Sequence, residues 1–70
     1  MNLLWLNLLQ THTQIALRNN DQAPLLKIIK EVNEIDDEID RDYAYDDMIE
    51  AAMQIGRSDF LFDTIKLANR

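Results

Sequence analysis

The chain has 70 residues, a net charge of −6, one Gly, one Pro and no Cys. The absence of Cys excludes disulfides, thiolate nucleophiles and Cys-based zinc or iron–sulfur sites, and it fits a reducing cytoplasm. A single domain over residues 1–70 is expected, and because a chain this short buries only about 60% of its unfolded surface, it needs help from oligomerisation or a partner. The composition is rich in helix formers and poor in turn residues, which predicts an all-α bundle of three to four short helices.

The first predicted helix covers residues 2 to 18 and opens with the apolar run MNLLWLNLL. This run is about half the length of a membrane span and continues directly into the polar QTHTQ. It also lacks the basic start and the small-residue cleavage site of a signal peptide. We therefore expect a soluble, cytoplasmic protein that does not bind membranes.

The same run is apolar around almost its whole circumference. At about 100° per residue, its large side chains leave only the positions of Asn2 and Asn7 polar, and one core cannot cover so wide a surface. At least two of these side chains should therefore lie outside the core and form a self-association surface, most simply in a symmetric homodimer. The residues expected in that surface are Leu3, Trp5, Leu6 and Leu9.

A second helix is predicted to begin near residue 22, after the turn-forming segment RNNDQAP. Asn20 or Asp21 can cap it, and Pro24 lies in its first turn, where the missing N–H costs nothing. Apolar residues then recur at spacings of three and four, which predicts a seam facing the core: Leu25, Ile28, Val32, Ile35 and Ile39. No Gly or Pro follows before residue 56, so the break before a third helix is predicted within DRD, with Asp40 or Asp42 as N-cap.

The third helix is predicted to end at Gly56, the left-handed residue expected just past a helix terminus. Its apolar face consists of Tyr45, Met48, Ile49, Ala52 and Ile55. Ser58 is predicted to cap a fourth helix, with Asp59 in the first turn and Arg70 in the last, where each charge suits the helix dipole. The core candidates of the fourth helix are Phe60, Leu61, Ile65 and Ala68.

Residues 15–33 can be laid over residues 51–69 at an offset of 36. The matched positions include Ala16 with Ala52, Leu17 with Met53, Leu25 with Leu61, Ile29 with Ile65, Lys30 with Lys66 and Asn33 with Asn69. The chain is therefore interpreted as two helix-turn-helix units, or αα-hairpins. The pattern AAMQIGRSDFLFDTIKLA resembles the inner corner of a tetratricopeptide-type helix pair. That family's large aromatic and closing Pro are not found at matching positions, and two units are too few for a solenoid.

Side chains for catalysis or metal binding are scarce. His12 is the only His and is expected on the surface, and Ser58, the only Ser, is already predicted as a cap. A calcium loop opened at Asp36 fails where Arg41 replaces the required Gly and where Asp47 replaces the bidentate Glu. We expect no catalytic centre, no cofactor and no structural metal.

The negative charge is concentrated in residues 31–50, which hold ten acids and one Arg, against three acids and six bases elsewhere. Such a field repels nucleic acid and membrane surfaces and attracts a basic protein surface. The residues expected to bind that partner are Glu34, Asp36, Asp37, Glu38, Asp40, Asp42, Tyr43, Asp46 and Asp47. A solvated strip that keeps a Leu-rich protein soluble accounts for the same charges.

The leading interpretation is a non-enzymatic helical interaction protein, a regulator or adaptor, that self-associates and docks to a basic partner. One alternative is an acidic inhibitor of the phage-type anti-defence kind, which covers a nucleic-acid-binding surface by imitating nucleic acid. Another is a structural subunit of a larger assembly. Binding that collapses with salt favours the first two, and binding indifferent to salt favours the third.

Overall fold

The structure is a computed structural model that describes residues 3–70, with Leu3 described by its backbone only. The described residues form four helices and no strand: α1 (Leu3–Arg18), α2 (Gln22–Asn33), α3 (Glu38–Gln54) and α4 (Ser58–Ala68). The predicted all-α bundle is therefore confirmed. No helix within these residues is both long enough and apolar enough to cross a membrane.

The first hairpin turns at Asn20, whose φ of 52° places it in the left-handed region. The Asn20 N–H donates to the carbonyl of Leu17 at 3.3 Å, and the Asp21 N–H donates to that of Ala16 at 3.0 Å. These two bonds form a Schellman motif, which satisfies carbonyls left over at the end of α1. Asp21 occupies the N-cap position of α2 but its side chain makes no cap hydrogen bond, so the predicted side-chain cap is absent.

The second hairpin turns in the same way at Gly56, which has a φ of 66° as predicted. The Gly56 N–H donates to the carbonyl of Met53 at 3.2 Å, and the Arg57 N–H donates to that of Ala52 at 2.8 Å. Each of these four residues lies 36 positions after its counterpart at the first corner. The offset found in the sequence therefore relates two corners with the same hydrogen-bonding pattern.

The two hairpins pack side by side in the same orientation. α1 packs most extensively on α3, and α2 on α4. Side-chain hydrogen bonds join the hairpins at separations of 40, 37 and 36 residues: Gln14 to Gln54, Arg57 to Asn20, and Asn33 to Asn69. Because this separation changes little along the chain, α1 runs parallel to α3 and α2 to α4. The arrangement is a stack of two hairpins, unlike an up-down-up-down bundle, whose neighbouring helices are antiparallel.

The core is contributed by all four helices. Its buried apolar residues are Leu9, Ala16, Leu17, Leu25, Ile29, Val32, Ala44, Met48, Ala51, Ala52 and Leu61. Burial of each large aliphatic side chain contributes about 1.5–3 kcal/mol relative to exposure. Matched positions of the two hairpins are both buried at Ala16 and Ala52 and at Leu25 and Leu61.

The break between α2 and α3 lies earlier than predicted. α2 ends at Asn33, and the N-cap of α3 is Asp37, not Asp40 or Asp42. The Asp37 carboxylate accepts from the N–H groups of Ile39 at 2.9 Å and Asp40 at 3.1 Å. Asp40 instead lies in the first turn, where a negative charge suits the helix dipole.

This earlier break removes Ile39 from the predicted core seam. Ile39 is 67% exposed on α3, whereas Ile35 is half-buried in the connection between the helices. Arg41 donates from Nη1 to the Ile35 carbonyl at 3.0 Å and so ties this connection to α3. Ile35 and Ile39 are four residues apart, a spacing that fits a helix, although the connection between α2 and α3 lies between them. The prediction of one continuous seam was wrong for this reason.

The predicted cap of α4 is also wrong. Ser58 is the first helical residue, and Arg57 holds the N-cap position without a side-chain cap hydrogen bond. The Arg57 guanidinium instead lies over the Phe60 ring, 5.2 Å from its centroid, and hydrogen-bonds to Asn20 of the other corner. Arg57 therefore links the two hairpin corners through its side chain.

The charges of α4 agree with the prediction at one end only. Asp59 lies in the first turn, as expected from the helix dipole. The helix ends at Ala68, so Arg70 lies beyond it and Lys66 is the base of the last turn.

Two threonines are fully buried, and they differ in hydrogen bonding. The Thr64 hydroxyl donates to the Phe60 carbonyl at 2.8 Å and accepts from Nε2 of Gln22 at 3.5 Å. The Thr13 hydroxyl has no hydrogen-bond partner among the described residues. A buried polar group without a partner costs about 1–3 kcal/mol.

We expect Thr13→Val to raise the free energy of unfolding by about 1 kcal/mol, because it replaces an unpaired buried hydroxyl with a methyl group. The matched change Thr64→Val should lower it by about 1 kcal/mol, because it removes two hydrogen bonds. Both residues are β-branched, so helix propensity changes little. Urea unfolding followed by circular dichroism measures both values, and a less stable Thr13→Val protein would contradict the assignment.

Candidate functional site

The side of α3 that points away from the core carries acidic and large apolar side chains together. Its buried residues, Ala44, Met48, Ala51 and Ala52, lie on the opposite side of the helix. Three exposed acids recur every four residues: Asp42, Asp46 and Glu50. Interleaved with them are three large apolar residues, Ile39, Tyr43 and Met53, which are 67%, 62% and 67% exposed. We call these six residues the α3 outer face.

The α3 outer face is a continuous strip. At about 100° per residue its six side chains fall within an arc of about 100°, and the strip is about 21 Å long from Ile39 to Met53. Acidic and apolar side chains alternate within this arc and are not segregated to its two edges. α3 consequently carries large apolar side chains on both its inner and its outer side.

The acids of the strip are not neutralised from within the described chain. Within residues 3–70, none of them forms a salt bridge. Arg41, the single base of α3, directs its guanidinium to the Ile35 carbonyl. At the margin of the strip, partial burial raises the pKa of Asp47 above its ordinary value, and the neighbouring Glu50 carboxylate raises it further.

The residues predicted to bind a partner from charge alone divide into groups with different structural roles. Glu34 and Asp36 are exposed between α2 and α3, and Asp37, Glu38 and Asp40 form the N-terminus of α3. The outer face contains Asp42, Tyr43 and Asp46, and the half-buried Asp47 lies beside it. The structure thus places three of the nine predicted residues on one exposed strip.

Sequence reasoning missed three members of the α3 outer face. The apolar spacing predicts Ile39 in the core seam, the residues expected to bind a partner do not include Glu50, and the 36-residue offset places Met53 only as the counterpart of Leu17. A helical wheel begun at residue 38 places all three within about 40° of Asp46. Only Ile39 required the correct start of α3, because the angles of Glu50 and Met53 relative to Asp46 are the same wherever the helix begins.

The expected self-association residues of α1 are mostly packed against the core. Leu9 is buried, and Trp5 and Leu6 are half-buried against the core cluster. The side chain of Leu3 lies outside the described residues. Leu9 is therefore not available for contact with another copy, and Trp5 and Leu6 are available only in part.

α1 nevertheless leaves another apolar row exposed. Leu4, Leu8 and Ile15 are 64%, 49% and 50% exposed, which meets the expectation that at least two large side chains of the N-terminal run lie outside the core. They fall within about 40° on the helix wheel. We call these three residues the α1 outer face.

A groove of about 490 Å³ runs between α1 and α2 beside the α1 outer face. Apolar side chains of Ile15, Ala16 and Ile28 line it, with His12 and Glu31 among its polar residues. A smaller hollow of about 220 Å³ shares His12, Ile28 and Glu31 with it and extends it toward the N-terminal end of α1. In the part of the chain that the structure describes, no three His, Asp or Glu side chains are placed to hold a metal ion.

Comparisons with protein-family models, with curated proteins and with solved structures found no match for this chain.

The raised pKa of Asp47 allows a test of the partial burial of this side chain beside the α3 outer face. We expect Asp47→Asn to raise the melting temperature at pH 7 more than Asp46→Asn, a matched change that removes the same charge from an exposed neighbour. The extra gain should shrink as the pH falls toward the ordinary carboxyl pKa of 3.8, because wild-type Asp47 then takes up a proton in the folded state. Equal gains at every pH would contradict the partial burial of Asp47.

Proposed function

We propose that the protein is a non-enzymatic interaction module whose α3 outer face binds a basic surface of a partner protein. The observation that carries this proposal is the alternation of exposed acids with exposed Ile39, Tyr43 and Met53. Carboxylates attract and orient Arg and Lys side chains, whereas buried apolar contacts supply most of the affinity. Tyr43 serves both purposes, because its ring also accepts a cation–π contact.

The apolar members of the face favour this function over the alternatives. A strip that only keeps the protein soluble needs charge, and three large apolar side chains among the acids oppose that purpose. An imitation of a phosphate backbone likewise has no use for exposed Ile39 and Met53, since nucleic-acid-binding surfaces are polar and basic. A protein partner uses both kinds of side chain.

The shape of the face favours a helical partner segment. A strip about 21 Å long matches roughly four turns of a helix laid along α3. Such a helix would carry Lys or Arg at spacings of three or four beside an apolar row, the usual pattern of an amphipathic helix bound through one face. The proposed partner element is therefore a basic amphipathic helix.

We expect the double change Asp46→Lys with Glu50→Lys to abolish binding of a basic amphipathic helical peptide and leave the helical content nearly unchanged. Surface charges away from caps and core alter stability little, and this pair spares the N-cap Asp37. The matched control is Glu31→Lys with Asp63→Lys, which makes the same charge change on exposed positions of α2 and α4, away from the first turn of either helix. The control should retain binding.

Fluorescence anisotropy of the labelled peptide at low and moderate salt measures this difference, and circular dichroism checks the fold. Binding should weaken with salt, because part of it is electrostatic. Parallel affinity captures from native cell extract with wild type and both variants then seek the natural partner. Equal peptide binding by the two double variants would show that net charge alone, and not the α3 outer face, governs the interaction.

A further inference from the structure

α1 exposes positions that α3 buries. At the offset of 36, Leu8 matches Ala44 and Ile15 matches Ala51. Leu8 and Ile15 are about half exposed, whereas Ala44 and Ala51 are fully buried in the helix that packs most extensively on α1. The α1 outer face is thus the counterpart of the α3 surface that lies inside the stack.

The reverse relation holds on the other side of the stack. Met53 of the α3 outer face is 67% exposed, but its counterpart Leu17 is fully buried. Glu50 is exposed, and its counterpart Gln14 is half-buried and hydrogen-bonds across the hairpins to Gln54. Each helix therefore exposes the side that the other uses for packing, as expected of a repeat stack left open at both ends.

Repeat stacks stay soluble when their terminal units present a polar outer surface. The α1 outer face does not meet this condition, because it is built from Leu4, Leu8 and Ile15. The α3 outer face meets it only in part, because its acids are interleaved with apolar side chains. Both ends of the stack remain suited to a further packing layer.

The distribution of charge indicates which surface can pack on these two faces. α1 carries Arg18 and no acid, whereas α3 carries six acids and Arg41. Over the whole hairpins, residues 3–33 have three bases and two acids, and residues 34–70 have four bases and eleven acids. Contact between an α1 outer face and an α3 outer face is therefore electrostatically favourable, while two α3 outer faces repel each other.

We propose that copies of this chain stack head to tail, with the α1 outer face of one copy packed on the α3 outer face of the next. The contact continues between copies the parallel arrangement that joins the two hairpins within each copy. It is heterologous, so a dimer still has one free face of each kind and further copies can be added, in an open row or until a ring closes. This inference goes beyond the proposed function, and it makes a second copy and a basic partner competitors for the α3 outer face.

The test uses two variants of the full chain, each with one outer face blocked by acids. One carries Leu8→Glu and Ile15→Glu on α1, and the other carries Tyr43→Glu and Met53→Glu on α3. All four positions are exposed, so both variants should keep wild-type helical content by circular dichroism. Analytical ultracentrifugation gives the mass of each protein alone and of their equimolar mixture.

Wild type should grow beyond a dimer as its concentration rises, and each variant alone should stay at the monomer mass of 8.2 kDa. The mixture should form a one-to-one dimer and stop there, because it contains one intact face of each kind. A wild type that stays monomeric would overturn the proposal. So would dimers formed by the α3-blocked variant alone, since a symmetric α1 contact needs only the intact α1 outer face that this variant keeps.

Disulfide cross-linking tests the same contact with a single substitution in each protein. The chain has no Cys of its own that could form other disulfides. Leu8→Cys and Asp46→Cys proteins are mixed under mild oxidation, and head-to-tail stacking predicts the mixed disulfide as the main product. Leu8→Cys dimers forming faster than the mixed species would overturn it. The variant blocked on α1 should still bind the basic helical peptide, so failure of stacking is distinguishable from failure of the proposed function.

Discussion

The left-handed backbone at the two hairpin corners is the constraint on which the rest of the structure depends. Asn20 and Gly56 each reverse the chain through the same pair of hydrogen bonds, so α1–α2 and α3–α4 leave their corners with the same geometry. Gly adopts this conformation without strain, and Asn is among the residues that tolerate it best. Because the corners are 36 residues apart, α1 can pack along α3 and α2 along α4. The contacts extend from Gln14 and Gln54 to Asn33 and Asn69.

Parallel stacking of this kind determines where the exposed apolar surface lies. In a closed four-helix bundle each helix turns one stripe inward and the remaining surface is solvated. Here α1 and α3 bury one side against each other, and each has a second side on which another layer could pack. The exposed large apolar residues of these helices fall on those second sides, as Leu8 and Met53 illustrate. The faces proposed to bind a partner and another copy therefore follow from the topology, and the acids decide which is attractive to a basic surface.

The sequence predicted most of the fold, because its helix, turn and repeat signals agreed. Gly56 located one corner from its immediate neighbours, and the 36-residue offset matched Asn33 with Asn69, two positions that a hydrogen bond joins in the structure. The break before α3 could not be located in this way, since Asp37, Asp40 and Asp42 are all acceptable N-caps and only tertiary packing selects among them. Of the α3 outer face, Ile39 depended on that break, because the helix must begin before residue 39 for this side chain to lie on the same side as Asp46 and Glu50. Leu9 was misplaced for a related reason: a helix that is apolar all round does not reveal which side its neighbours will cover.

Salt should act more strongly on one of the two proposed uses of the α3 outer face than on the other. Every copy carries a net charge of −6, so copies repel one another overall, although the local contact of α1 with α3 is favourable. Added salt screens both this repulsion and the local attraction, whose effects on stacking oppose each other, and it leaves the apolar contact of Leu8 and Ile15 with the α3 outer face intact. The same salt weakens the attraction of a basic helix to Asp42, Asp46 and Glu50. Low ionic strength consequently favours binding of the basic partner helix to the α3 outer face, relative to stacking of a second copy. High ionic strength shifts the balance toward the second copy, because its contact depends more on apolar side chains than on charge.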